Sequence, residues 1–122
     1  MVKLAGDTLT AVGRMTVAAT ELEHTLAAIG AGPDATAEAV FAQPGAALRA
    51  ARAAAGRVPP ADRQEYVGAV EGAGTQLAVS QAALRAMWRP GARTDAAMFD
   101  EITVMLLRCR DVLHRLARSD AA

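Results

Sequence analysis

Apolar residues recur at spacings of three and four along most of this chain, which is the pattern of helices that bury one face. The most regular run extends from Phe99 to Leu116, and a second one extends from Tyr66 to Leu77. No stretch shows the strict alternation of apolar and polar residues that indicates a half-buried strand. The pattern therefore predicts an all-α protein.

The longest predicted helix runs from Pro59 to Trp88. Its two leading prolines fit only at or before a first helical turn, because proline lacks an amide donor and has a fixed φ. Residues 89–91 (Arg-Pro-Gly) predict its end. Its expected buried seam, with Ser80 in a gap, consists of Tyr66, Val70, Ala73, Leu77, Leu84 and Met87.

The first and last helices flank this one. The first is expected to start at Val2 or Asp7, with Asp7 as its N-cap, and to end at Ile29. Thr94 or Asp95 caps the last helix. The predicted seam of the first helix is Leu9, Val12, Met15, Ala19, Leu22, Leu26 and Ile29. That of the last is Phe99, Ile102, Leu106, Cys109, Leu113 and Leu116.

The second element is predicted to be interrupted. Asp34 is a plausible cap for a short helix that ends at Phe41, and Gln43-Pro44-Gly45 breaks it before a further piece begins. Four helical elements with short connections predict an antiparallel four-helix bundle with a broken second helix, in a single domain over residues 1–122.

Composition narrows the functional classes. Thirteen basic and thirteen acidic residues give a net charge of zero, which argues against binding nucleic acid over the whole surface. The lone cysteine fits a reducing compartment. No apolar run reaches membrane-spanning length and the N-terminus lacks a signal-peptide pattern. We therefore expect a cytoplasmic protein without a membrane partner.

The chain carries few chemical motifs. It lacks a glycine-rich phosphate loop, zinc-ligand spacing and a nucleophile elbow, so we expect no cofactor and no bound metal. Glu21 and His24 lie one helical turn apart and are interpreted as a solvated pair. Cys109 lies on the apolar seam of the last helix and is interpreted as a structural thiol.

The candidate binding site lies near the end of the longest predicted helix, Pro59 to Trp88, which is the third along the chain. Gln81, Arg85 and Trp88 share one face beside Ser80. Arginine stays protonated and cannot serve as a general base, so no residue is assigned a catalytic role. Glu23 of the first helix is the expected hydrogen-bond partner of Arg85.

A basic stripe on the last helix is a second candidate surface, for RNA or an acidic partner. Its residues are Arg108, Arg115 and Arg118. Asp111 lies one turn from Arg108 and from Arg115, and it is expected to pair with one of them.

The layout resembles that of bacterial HEPN-type helical domains. The resemblance rests on the Leu22-Glu23 step, the break at residues 43–45 and a third helix that ends in Trp88 before a loop. It implies a helical fold, and catalytic members carry an Arg-to-His motif near the end of the third helix for metal-independent RNA cleavage, usually across a dimer interface. Here Ser80 stands at the Arg position and Arg85 at the His position, so the resemblance implies a degenerate, non-catalytic relative.

Three functions follow from these features. The leading prediction is a non-enzymatic helical protein that acts by association, as a homodimer or with a protein partner, through a face of the third helix that includes Trp88. The first alternative is a HEPN-type ribonuclease or nucleotide-handling protein with a rearranged site. The second is a small regulator that binds RNA or an acidic partner through the basic stripe.

Overall fold

The structure is a computed structural model that describes residues 4–32, 36–91 and 95–121, with side chains as far as residue 117. Its helices are α1 (Gly6–Ala31), α2 (Ala37–Phe41), α3 (Ala46–Ala53), a 3-10 turn (Ala54–Arg57), α4 (Pro60–Ala86) and α5 (Ala96–Ala121). These ranges contain no strand, so the predicted all-α class is confirmed.

The helix starts agree in part with the predictions. Asp95 caps α5, because its carboxylate accepts a hydrogen bond from the amide of Met98 at 2.9 Å. Pro60 opens α4 as predicted. The predicted N-cap at Asp7 is wrong: α1 begins one residue earlier, so Asp7 lies within the first turn and accepts from the amide of Thr8. Asp34 and Thr94 lie outside the described residues.

The predicted break in the second element is confirmed. A turn over residues 42–45 separates α2 from α3, and Gly45 has a φ of 77°, which favours glycine. Gly30, near the end of α1, lies against Ala50 of α3. Glu23, two turns earlier on α1, lines the same groove as Gly45 at the start of α3. α3 therefore runs in the same direction as α1, because the chain reverses at this turn.

The first and last helices run in the same direction, whereas an antiparallel four-helix bundle sets its first and fourth helices in opposite directions. Arg14 pairs with Asp100 and Glu21 with Arg110, so contacts advance together along α1 and α5, and these helices are parallel. Arg115 pairs with Glu65 near the start of α4, so α4 is antiparallel to α5. The physical reason is that the second element folds back on itself instead of forming one full-length helix.

The core lies among the three long helices and α3. The seams of α4 and α5 are as predicted over most of their length, and their buried residues are Tyr66, Val70, Ala73, Leu77, Phe99, Leu106, Leu113 and Leu116. The Tyr66 hydroxyl donates to the carbonyl oxygen of Ala51 at 2.6 Å. Tyr66 therefore links α4 to the backbone of α3 inside the core.

The predicted seam of α1 is wrong in its first half. Met15, Leu22 and Leu26 are buried as predicted, but Leu9 is 60% exposed and its neighbours Thr8 and Ala11 are buried instead. Further along α1, Ala18 is buried in place of Ala19. α1 packs extensively against α5, and small side chains allow the two helices to approach closely. This rotation of α1 leaves large apolar side chains on its outer face.

Candidate functional site

Two of the predicted site residues line one groove of about 210 Å³. α1 contributes Glu23 to this groove, α4 contributes Gln81 and Gly74, and the start of α3 contributes Leu48 together with Gly45 at its N-cap. A Cβ atom at Gly74 would approach the Leu48 side chain to 3.0 Å, so glycine at this position keeps α4 close to α3. The groove thus combines apolar walls with one carboxyl and one amide group, supplied by two different helices.

The Glu23 carboxyl group is half-buried in this groove. Desolvation is the one influence on this group, and no described residue forms a hydrogen bond or an ion pair with it. Burial raises its pKa above the ordinary value, because desolvation disfavours the charged form. Arg49 lies against Gly45 at the edge of the groove without pairing with Glu23. Hydrogen bonds from the protein therefore do not replace the hydration that burial removes from this carboxylate.

The other three candidate residues do not join this groove. Ser80 is buried, and its hydroxyl donates to the Leu77 carbonyl oxygen at 2.7 Å, which satisfies it within its own helix. Arg85 is exposed and forms no ion pair or hydrogen bond with any described residue, so the predicted Arg85–Glu23 bond is not formed. Trp88 is 67% exposed and follows the end of α4.

The basic stripe on α5 has an acidic partner at one of its two described side chains. Arg115 forms a salt bridge with Glu65 at 2.6 Å, and Arg108 lies 3.9 Å from the sulfur of Met105. The Arg118 side chain lies outside the described residues. The predicted pairing of Asp111 with Arg108 or Arg115 is wrong, because Arg110 bonds Asp111 at 2.8 Å. A neighbouring arginine reaches this carboxylate without spanning a helical turn.

The two histidines have structural neighbours. The predicted Glu21–His24 pair is wrong, since Glu21 instead forms a salt bridge with Arg110 at 2.8 Å. The His24 ring packs edge-on against Phe41 with centroids 5.4 Å apart, which helps to hold α2 on α1. A ring nitrogen of His114 lies 3.3 Å from the Thr25 hydroxyl. The rotation of each helix, which local spacing does not reveal, decides these partners.

The outer face of α1 carries a surface that sequence reasoning missed. Leu9, Gly13 and Val17 lie one turn apart along it, and Val17 is 67% exposed. The hydroxyls of Thr10, Thr16 and Thr20 on this side of the helix each donate to a carbonyl oxygen one turn earlier, at 2.8–2.9 Å. These hydroxyl protons are therefore engaged within α1. We call Leu9, Gly13 and Val17, with the three threonines, the α1 strip.

A groove of about 450 Å³ borders the α1 strip, between α1 and α5. Gly13 and Val17 line one side, and Thr103 and Leu107 line the other. The salt bridge Arg14–Asp100 stands toward one end and Glu21–Arg110 toward the other. The groove is thus apolar along its length and carries charges only in neutral pairs at its ends.

Comparison with known proteins finds no relative. No family model, no curated protein and no solved structure matches the chain. The resemblance to HEPN-type domains therefore stays a prediction.

Two features are absent from the described part of the chain. No helix there is both long and apolar enough to cross a membrane. Within the same residues, His, Cys, Asp and Glu side chains do not form any group of three or more that could hold a metal ion.

Proposed function

We propose that this protein acts by association with a second copy of itself, through the α1 strip and the groove beside it. The observation that carries the proposal is the exposure of Leu9 and Val17 on a helix face without unpaired charge. Isolated exposed apolar residues are ordinary on protein surfaces, but Val17 also lines an apolar groove, and exposed apolar residues beside such a groove are typical of interaction sites. Association in this form requires no catalytic group.

The symmetry of the α1 strip supports a second copy as the occupant. Leu9 and Val17 lie four residues on either side of Gly13. If two copies of α1 pack antiparallel about a two-fold axis at Gly13, Leu9 of each copy contacts Val17 of the other. Gly13 has open space around it, so two helices can approach closely at this point.

Charge also favours self-association. A two-fold axis brings each surface against its own kind, so a charged face repels itself. The charged residues beside the α1 strip, Arg14 and Glu21, are both neutralised by partners on α5. Two copies can therefore meet along the strip without bringing unpaired like charges together.

The decisive variant is Val17→Glu. We expect wild-type protein to form a dimer at tens of micromolar in sedimentation equilibrium, and Val17→Glu to weaken the dimer at least tenfold. The introduced carboxylate would have to lose its water against Leu9 of the other copy. Because Val17 is mostly exposed in the monomer, the free energy of unfolding should change by no more than about 0.5 kcal/mol.

Matched controls locate the interface. Val79 is an exposed valine on the outer side of α4, so Val79→Glu adds the same charge elsewhere and should leave the dimer intact. Trp88→Ala should also leave it intact. A monomeric wild type, or a dimer that survives Val17→Glu, would overturn the proposal. Dissociation of the dimer by Val79→Glu or Trp88→Ala would instead assign the interface to α4, the helix for which the sequence analysis predicted it.

A further inference from the structure

We infer that the groove between α1, α3 and α4 binds the ammonium group of a small aliphatic amine, with Glu23 as its counter-ion and Gln81 as a hydrogen-bond acceptor. This inference is independent of the proposed dimer, which uses a different face of α1. It rests on the placement of a carboxyl and an amide from two helices in one apolar slot.

The size of the groove limits the ligand. Pockets for drug-sized molecules usually measure about 300–1,000 Å³, and this groove measures about 210 Å³. It therefore suits a group of only a few heavy atoms. The apolar walls from Leu48 and Leu77 fit a short alkyl chain, since these side chains offer no polar contact.

The charge of the groove selects a cation. Glu23 is the only titratable residue among those that line it from the three elements. An ammonium group placed beside this carboxylate replaces the lost water with a charge-assisted hydrogen bond. The Gln81 side-chain oxygen can accept a hydrogen bond from a second N–H of the same group, because a primary ammonium has three donors.

The partial burial of the Glu23 carboxyl group, without a cationic partner among the described residues, supports this assignment. Partial burial of the Glu23 carboxyl group disfavours its charged form and raises its pKa, and no described cation offsets this desolvation. A cationic ligand offsets this cost of desolvation and binds the folded state alone, so it stabilises the protein. Arg49, the charged residue at the edge of the groove, lies against Gly45 and leaves Glu23 unpaired.

The test is a titration of the full chain with n-butylammonium chloride, followed by amide chemical shifts in NMR. Gly45 and Gly74 line the groove and report binding, whereas Gly68 and Gly72 have open space around them and serve as internal controls. We expect saturable shifts at the first pair only, with a Kd on the order of 1 mM. n-Butanol, which has the same chain without the charge, should bind at least tenfold more weakly.

Variants test the roles of the two polar groups. Glu23→Gln keeps the shape and removes the charge, so we expect at least tenfold weaker binding of n-butylammonium. Gln81→Ala should weaken it severalfold. Glu38→Gln removes an exposed carboxylate of α2 and should change nothing. A preserved spectrum in the Glu23→Gln variant shows that the loss of binding is not a loss of fold.

Three results would overturn the inference. These are no shift at Gly45 and Gly74 up to about 50 mM amine, equal binding of n-butanol, or unchanged affinity in Glu23→Gln. A parallel titration with Nα-acetyl-lysine methylamide distinguishes two sources of the same chemistry. Tighter binding of this compound assigns the groove to a lysine side chain of a peptide, and weaker binding assigns it to a free amine.

Discussion

Replacing Leu106 by alanine should lower the free energy of unfolding by about 2–5 kcal/mol. Leu106 is fully buried at the middle of the α5 seam, with Phe99 and Leu113 seven residues away on either side. Truncation removes apolar contacts and leaves a cavity that α1 and α4 cannot close without moving. Urea denaturation, followed by circular dichroism at a single protein concentration, measures the change. The slope of the free energy of unfolding against urea concentration should be the same as in the wild type.

Met105 provides the matched control for this experiment. It precedes Leu106 on the same helix, but its side chain is 39% exposed. Met105→Ala should therefore change the free energy of unfolding by no more than about 0.5 kcal/mol. If both variants lost the same amount, or if Leu106→Ala lost almost nothing, α5 would not face the core in the orientation described above.

Replacing Gly30 by alanine should destabilise the protein by about 1–3 kcal/mol. A Cβ atom at this position would lie 2.5 Å from the carbonyl carbon of Ala50 and 2.6 Å from the amide nitrogen of Ala51. Both atoms belong to the α3 backbone, so no change of rotamer relieves the contact and the two helices must separate. The same shift would disturb the hydrogen bond from Tyr66 to the Ala51 carbonyl.

The same substitution at Gly68 should act in the opposite direction. Gly68 lies within α4, and a Cβ atom there would meet nothing within 4 Å. Because alanine favours a helix over glycine by about 1 kcal/mol, Gly68→Ala should stabilise the protein. Thermal or urea unfolding of both variants tests the difference, and stabilisation by Gly30→Ala would show that α1 does not pack on α3 at this point.

Sequence spacing predicted α4 and α5 well because their buried seams hold large apolar residues. On α1 the same rule failed in the first half. Leu9 and Val12 show helical spacing, and so do Thr8 and Ala11, which are the residues buried there. The choice between the two seams depends on how closely α5 approaches, and that distance is a tertiary property. The predicted pairing of Glu21 was wrong for the same reason, since Glu21 forms its salt bridge with Arg110, which lies 89 residues away in the sequence.

The candidate site was predictable only in part. Glu23 and Gln81 were both selected from sequence, and the structure places both at one groove. Their expected companion Arg85 lies one turn further along α4, where its side chain is exposed and does not line the groove. The α1 strip was missed because Leu9 was assigned to the core. One available signal was the uncharged run Met15–Thr20, which is unusual for a solvated helix.

The parallel pairing of α1 with α5 has a consequence for how the chain folds during synthesis. Arg14 and its partner Asp100 are separated by 86 residues, and at roughly 5–20 residues per second these take on the order of 4–17 s to make. Until then, the side of α1 that α5 will cover stays open to water. The emerging α1 to α4 segment is therefore the species with the greatest exposure to aggregation, and completion of the last helix ends that exposure.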